Sequence, residues 1–258
     1  MNRVLGVIPA RIGSSRLPRK PLQPLLGRPL VTWVWQRARR MGFLDCVVVA
    51  TDSDEVAQVC LDAGAGVLMT SPEHPSGSDR AWEAAQRMGP EFDVVVNIQG
   101  DEPLVDPEVV RAAVSMVEAG FDVGTCATRI ESDEELHDPA VVKVVRARDG
   151  SALYFSRAAI PFRRAQLTRN GCRAEPRRLR HVGVYAYRRA ALGRWVGFRP
   201  SALEMEEGLE QLRALENGMR IGVAVVAEAA GGIDTPEDLA RMERRLKGAG
   251  ADNDADRI

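Results

Sequence analysis

None of the four cysteines, Cys46, Cys60, Cys126 and Cys172, forms a C-x-x-C pair, which argues against a cysteine metal site. Two of them lie in apolar patterns, Cys46 before Val47-Val48-Val49 and Cys60 after Val59, and so read as buried free thiols of a reducing cytoplasm. No apolar run approaches the ~18 residues of a membrane-spanning helix. The start, Met1-Asn2-Arg3-Val4-Leu5, is too short and too quickly strand-like for a signal peptide. A formal charge of −1 provides no global field for nucleic acid or anionic lipid. The G-x-x-x-x-G-K-[ST] order of a P-loop is missing, so the usual kinase or ATPase reading does not apply. There is no internal repeat. These absences leave a cytoplasmic protein with neither a nucleic-acid nor a membrane partner. Its 258 residues, 45% of them apolar, suffice for one large α/β domain with a sizeable core.

What is present begins with Val4-Leu5-Gly6-Val7-Ile8, a buried strand by its continuous apolar run. The loop after it carries Arg11, Arg16, Arg19 and Lys20 among Gly13, Ser14, Ser15 and the prolines Pro9, Pro18 and Pro21. Those prolines exclude a helix and stiffen the chain, and the glycine and serines can turn backbone N–H groups toward an anion. A strand ending in a stiff cationic loop is suited to holding a triphosphate.

Further apolar runs at 46–50, 66–69 and 93–98 alternate with helical patterns near 30–41, 53–63 and 78–88. Val56, Val59, Cys60 and Ala63 follow i, i+3, i+4, i+7, and Gly64 is placed to end that helix. Asp106-Pro107 supplies an N-cap and a first-turn proline for a helix to about 119. Continuous apolar strands between helices predict a mostly parallel sheet covered on both faces, with ligands beyond the carboxyl ends of the strands. Trp33 and Trp35 fall near apolar positions of the first helix and read as core or interface.

From 121 to 200 the alternation breaks into strand-like pieces at 122–129, 141–146, 152–155 and 181–187, joined by an arginine-rich stretch from Arg163 to Arg180. This region is expected to leave the sheet and to cap the site or form a subunit interface. A helix near 202–217, a strand at 221–228 and a helix at 235–246 complete the domain, and 248–258 reads as a disordered tail.

Two carboxylates stand at strand ends. Asp101 lies in the turn of Asn97-Ile98-Gln99-Gly100-Asp101-Glu102-Pro103, and Asp234 lies between a strand and a helix start. Facing one basic loop, such a pair is what a Mg²⁺–triphosphate site needs. The plainer alternative is that Asp101 caps a turn and Asp234 a helix.

Together these residues resemble the 3-deoxy-manno-octulosonate (Kdo) cytidylyltransferase family over about residues 3 to 246. The resemblance rests on P-A-R-x-x-S-x-R-L-P-x-K-P-L (9–22), A-T-D (50–52), H-x-S-G-[ST]-x-R (74–80) and N-x-Q-G-D-E-P (97–103). It continues in V-K-V-V (142–145), A-L-Y-F-S-R-A-x-I-P (152–161), L-R-H-x-G-x-Y-x-Y-R (179–188), L-E-Q-L-R (209–213) and G-x-D-T-P-E-D-L (232–239). The first and fourth motifs are shared with other sugar nucleotidyltransferases; those from 152 to 188 lie closer to the Kdo branch.

The resemblance implies a three-layer, Rossmann-like nucleotide-diphospho-sugar transferase fold with a mostly parallel central sheet and an inserted mixed β region. It implies one nucleotidyltransferase domain over 1–247, with 121–200 forming the acceptor site and a homodimer interface. Arg11, Lys20 and Asp101 would be catalytic, and Pro9, Ala10, Arg11, Arg16, Lys20, Ser76, Gly77 and Arg80 would meet CTP. Asp101 and Asp234 would hold Mg²⁺. Gln99, Arg157, His181, Glu210 and Gln211 would face the sugar acid, although His181 could equally be an edge residue and Arg157 a structural ion-pair partner. The reaction implied is attack of the Kdo C2 hydroxyl on the α-phosphorus of CTP. Arg19 stands where the family often has a glycine, Ser78-Asp79 where Thr-Glu is common, and Met205 and Glu206 also depart from commoner residues. A different acidic acceptor, or a non-catalytic nucleotide- or nucleic-acid-binding protein, are the competing readings.

Overall fold

The computed structural model describes residues 2–13, 17–162 and 178–248. The first strand, β1 (Val4–Ala10), leads through the cationic loop to a 3-10 turn (Lys20–Leu22) and a small hairpin of β2 (Pro24–Leu25) and β3 (Arg28–Pro29). There follow α1 (Leu30–Ala38), β4 (Cys46–Thr51), α2 (Asp54–Asp62), β5 (Gly66–Met69), α3 (Gly77–Arg87), β6 (Val94–Asn97) and α4 (Pro107–Glu118). The middle of the chain forms β7 (Val123–Arg129), α5 (Asp133–His137), β8 (Lys143–Arg146), β9 (Ala152–Ser156), β10 (Leu179–Arg188) and α6 (Arg189–Gly197). The last elements are α7 (Ala202–Glu207), α8 (Gln211–Glu216), β11 (Ile221–Val225) and α9 (Pro236–Gly248).

The main sheet runs in the order β11-β7-β10-β6-β1-β4-β5. Pairs β1–β6, β1–β4, β4–β5 and β7–β11 are parallel, and β10 is antiparallel to both β6 and β7. Alternate residues of β1 serve opposite faces: Val4 and Ile8 pack with α1, α2 and α4 residues such as Val31, Val56 and Val110, while Leu5 and Val7 pack with Ala81, Leu192 and Leu212 of α3, α6 and α8. The result is three layers, helix on sheet on helix. Trp33 and Trp35 are both buried, the first in a cluster with Leu25, Leu30 and Met242, the second against the sheet.

The expected departure from the sheet is narrower than 121–200. Strands β7 and β10 lie inside the main sheet, and only β8 and β9 stand off its path, β8 against β10 and β9 against β8. The partners β7 and β10 are separated by some fifty residues of chain, so no local pattern announces their pairing. Similarly, the helix expected over 202–217 is two helices. Gly208 sits at φ 61 between them, a left-handed conformation that glycine takes without steric cost. Cys60 and Cys126 are buried and free; burial pushes their thiols up to about 11 and about 12, consistent with an unreactive packing role. Cys172 and the tail from 249 lie outside the described residues.

Candidate active site

A cavity of about 330 Å³ opens at the carboxyl ends of β1 and β6. It is lined by Pro9, Ala10, Arg11, Lys20, Pro21, His74, Pro75, Ser76, Gly77, Arg80, Gln99, Gly100, Asp101 and Asp234. Every nucleotide and metal residue named from sequence therefore borders one space, except Arg16, which lies outside the described residues.

The walls are fixed from behind. Thr51 at the end of β4 donates its hydroxyl to Ala10 O at 2.7 Å. The next residue, Asp52, accepts Ile12 N–H at 3.2 Å on one oxygen and Arg80 Nη2 at 2.9 Å on the other. Arg80 is buried and also donates to Thr70 Oγ1, so its guanidinium is held by protein groups as it lines the cavity. Its geometry is that of a brace between α3 and the cationic loop. On the opposite wall Gly100 allows a close approach. A Cβ there would lie 2.7 Å from Pro9 O, so a larger residue would push the Asp101 turn off β1.

Lys20 is the centre of the charged end. Its Nζ donates to Asp101 and, at 2.8 Å, to Asp234 Oδ1. The two acid-bearing loops are also joined by Ile233 N–H to Asp101 O at 2.9 Å. Helix capping at Asp234 falls to its neighbours. Thr235 Oγ1 accepts Asp238 N–H at 3.2 Å, and Asp238 Oδ2 accepts both Asp234 N–H and Thr235 N–H at 3.0 Å. The Asp234 carboxylate instead faces Lys20. Arg19 has φ 55, which explains why a glycine is common there; its guanidinium turns away to pair with Glu55. Glu102, given no role from sequence, has its carboxyl pushed up to about 8, chiefly by burial and also by Asp101, against the opposing effect of Lys20.

The acceptor residues are only partly gathered here. Gln99 lines the cavity and donates to Gly183 O at 3.1 Å. Glu210 reaches the nucleotide side, with its Oε1 2.8 Å from Trp195 Nε1 and 3.1 Å from Ser76 Oγ. Gln211 is buried beside it at the start of α8. His181 stands one strand away. Its Nε2 is 2.9 Å from Thr125 Oγ1, and its ring packs on Phe155 and Tyr185 at 5.1 and 5.4 Å. Burial lowers it to about 4, so this ring is neutral and can offer hydrogen bonds but no charge.

Arg157 is tied to backbone. Its Nε donates to Glu207 O at 2.7 Å, Nη1 to Pro139 O at 2.9 Å and Nη2 to Gly208 O at 3.4 Å. The alternative of a carboxylate ion-pair partner is thereby replaced by a clamp on three carbonyls. Glu207 completes it from the other side, accepting Ser156 Oγ at 2.6 Å and Arg157 N–H at 2.9 Å. Neither Glu207 nor this clamp was signalled by sequence, because side chain–backbone bonds across some fifty residues leave no periodic trace. Of the arginine-rich stretch, 163–177 lie outside the described residues; Arg178 pairs with Asp133, and Arg180 with Glu135 at 3.3 Å, as a surface rim would.

The family model described as cytidylyltransferase matches residues 5–221. The 3-deoxy-manno-octulosonate cytidylyltransferase of Gemmatimonas aurantiaca is 51% identical over 240 residues, 92% of each chain. That of an Anaeromyxobacter species is 50% identical over 250 residues, 97% of this chain and 99% of the relative. The chain belongs to the Kdo cytidylyltransferase family. A solved structure of CMP:2-keto-3-deoxy-manno-octonic acid synthetase complexed with CTP superposes with a TM-score of 0.87 at 37% identity, covering 96% of this chain and all of that one. A cytidylyltransferase from Leptospira borgpetersenii shares the fold, with a TM-score of 0.62 at 16% identity. Among the described residues no three or more His, Cys, Asp or Glu side chains gather as metal ligands. No helix among them is long and apolar enough to cross a membrane.

Proposed function

We propose that this protein transfers the CMP moiety of CTP to Kdo, releasing pyrophosphate, in the cytoplasm and for lipopolysaccharide assembly. The observation that carries the reading is Lys20 held between Asp101 and Asp234, at the charged end of a cavity whose other walls carry Arg11 and the Ser76-Gly77 helix start. Arg11 and Lys20 bind the triphosphate oxygens. The C2 hydroxyl of Kdo attacks the α-phosphorus, the bond from that phosphorus to the bridging oxygen breaks, pyrophosphate leaves with the electron pair, and the hydroxyl proton is released. The cations stabilise charge on the phosphoryl oxygens and hold attack in line, with no covalent enzyme intermediate. Asp101 and Asp234 offer the hard oxygen ligands that Mg²⁺ prefers, in the number a phosphate-bound ion takes from protein. When bound, Mg²⁺ would neutralise triphosphate charge. Gln99 and Glu210 face the acceptor from the cavity side, with His181 and Gln211 behind them.

Incubation with CTP, Mg²⁺ and a panel of sugar acids checks this. Pyrophosphate and a CMP-sugar are expected with Kdo. Turnover with another acid and none with Kdo would keep the reaction and change the acceptor. Steep salt-dependent binding to generic DNA without turnover would support the non-catalytic reading instead.

We also propose a homodimer built partly from the 121–200 stretch. Among the described residues strand β9 pairs only with β8, and Leu153 on it is 61% exposed; Phe162 and Met205 are exposed as well, at 90% and 71%. Covering such an edge and its apolar residues with a second copy removes a liability that a monomer would carry. Light scattering is expected to give twice the monomer mass of 28.2 kDa, and Leu153→Glu to shift it toward the monomer.

A further inference from the structure

Asp52 closes the A-T-D motif at residues 50–52 and has no part in the proposed reaction. It follows β4 and is not among the residues that line the cavity. Its carboxylate nevertheless serves two elements that do line it. One oxygen accepts Ile12 N–H at 3.2 Å, and the other accepts Arg80 Nη2 at 2.9 Å. Arg11 lies between the Ile12 bond and the bond from Thr51 Oγ1 to Ala10 O at 2.7 Å, so the end of β4 holds the chain on both sides of Arg11. Arg80 reaches Asp52 from α3, and its second anchor, Thr70 Oγ1, itself donates to Thr51 O at 3.1 Å.

The Asp52–Arg80 pair is buried, with side chains 10% and 2% exposed. Little water is at hand to replace either partner, so losing one strands the other. The same turn makes a further contact with the cationic loop, from Glu55 to Arg19, but those side chains are 54% and 59% exposed. An ion pair so open to water contributes little. The work of fixing the cations therefore falls to Asp52.

We infer that Asp52 is a positioning residue of the nucleotide site, one carboxylate that sets Arg11 through the backbone and Arg80 through its guanidinium, and so preorganises two cations for one polyanion. The sign of its effect separates this role from a purely electrostatic one. A negative charge close to a triphosphate site repels the ligand, so charge alone would make Asp52 a hindrance whose removal tightens CTP. Positioning makes it a help whose removal weakens CTP, because an Arg80 released from Asp52 must be ordered again at the moment of binding.

The inference rests on the CTP-binding reading, and its test is calorimetric titration of CTP, with Mg²⁺ and without acceptor, beside a thermal melt. Asp52→Asn keeps an acceptor for Ile12 N–H and sets an amide against Arg80. It is expected to weaken CTP by about tenfold, the size of one charge-assisted hydrogen bond. Asp52→Ala, which frees Ile12 as well, should weaken it further. In an Arg80→Met background, Asp52→Asn should change CTP affinity by less than about threefold, since its partner is already gone. The double variant strands no buried charge, so it reports even where Asp52→Asn alone does not fold. Tighter or unchanged CTP binding by folded Asp52→Asn, with only the melt lowered, would confine Asp52 to the scaffold and overturn the inference. A further loss of about tenfold on adding Asp52→Asn to Arg80→Met would overturn it too, since the two residues would then act independently. Wild type that does not bind CTP would sink both this inference and the CTP-binding reading.

Discussion

Asp101→Asn is expected to lower kcat/KM for pyrophosphate release by about three orders of magnitude, near 4 kcal/mol of transition-state stabilisation at about 1.4 kcal/mol per decade. Asp101 is the acid at which the elements of the site converge. Its backbone oxygen receives Ile233 N–H, its carboxylate receives Lys20 Nζ, and its neighbour Glu102 is pushed up to about 8 partly by its charge. Asparagine keeps the volume and the backbone bond but removes the negative charge that holds Lys20 in place and that a divalent cation would require. The carboxylate is not part of the core, so the thermal transition should stay close to wild type. Asp234→Asn should act in the same direction but less strongly, because its carboxylate is 41% exposed against 26% for Asp101, and its pairing with Lys20 is more screened by water. Steady-state pyrophosphate release alongside a thermal melt checks both. Turnover of Asp101→Asn within tenfold of wild type, in a folded protein, would remove Asp101 from the catalytic set.

That prediction was available from sequence because strand ends are legible. The runs Val4–Ile8 and Val94–Asn97 could only be buried strands, and residues just beyond parallel strands collect at one edge of the sheet. The cationic loop and Asp101 follow those strands and so share that edge, whereas Asp234, several residues beyond β11, is brought there by Lys20 and by Ile233 N–H to Asp101 O. Legibility ended where packing is non-local. Helix α6 was not expected, since Ala191, Leu192 and Trp195 are its only buried residues and arginines interrupt the pattern around them. The antiparallel insertion of β10 between β6 and β7 depends on partners far apart in sequence. The Thr235–Asp238 cap that releases Asp234 to face Lys20 involves residues whose types fit either role, and only their hydrogen bonds decide which acid caps and which points into the site. The same holds for the clamp around Arg157, where a cation in a substrate-specific motif proves to be occupied by carbonyl oxygens.

Arg157→Ala carries the second large effect, and its readouts separate two roles for the guanidinium. In the structure it joins three segments: the turn at Pro139, the end of β9, and the α7–α8 junction at Glu207 and Gly208. Just beyond that junction lie Glu210 and Gln211, and Glu210 contacts Ser76 at the nucleotide side. Lys143 reinforces the same junction, since its buried ammonium donates to Asp138 O at 2.9 Å, Val141 O at 2.6 Å and Arg157 O at 2.5 Å. Removing the guanidinium strips charge-assisted donors from three carbonyls, part of which water can replace, so a stability loss of about 2 kcal/mol is expected. The loosened junction should also let Glu210 and Gln211 drift, raising KM for Kdo by about tenfold or more with KM for CTP little changed, because the Lys20 end of the cavity is untouched. Arg157→Lys should recover little, since a single ammonium nitrogen cannot occupy the separate positions from which Nε, Nη1 and Nη2 reach their carbonyls. A rise in KM for Kdo with no loss of stability would mean that the remaining N–H groups of Arg157 hold the sugar carboxylate directly. A loss of stability with both KM values unchanged would confine Arg157 to the scaffold and detach the α7–α8 junction from acceptor binding.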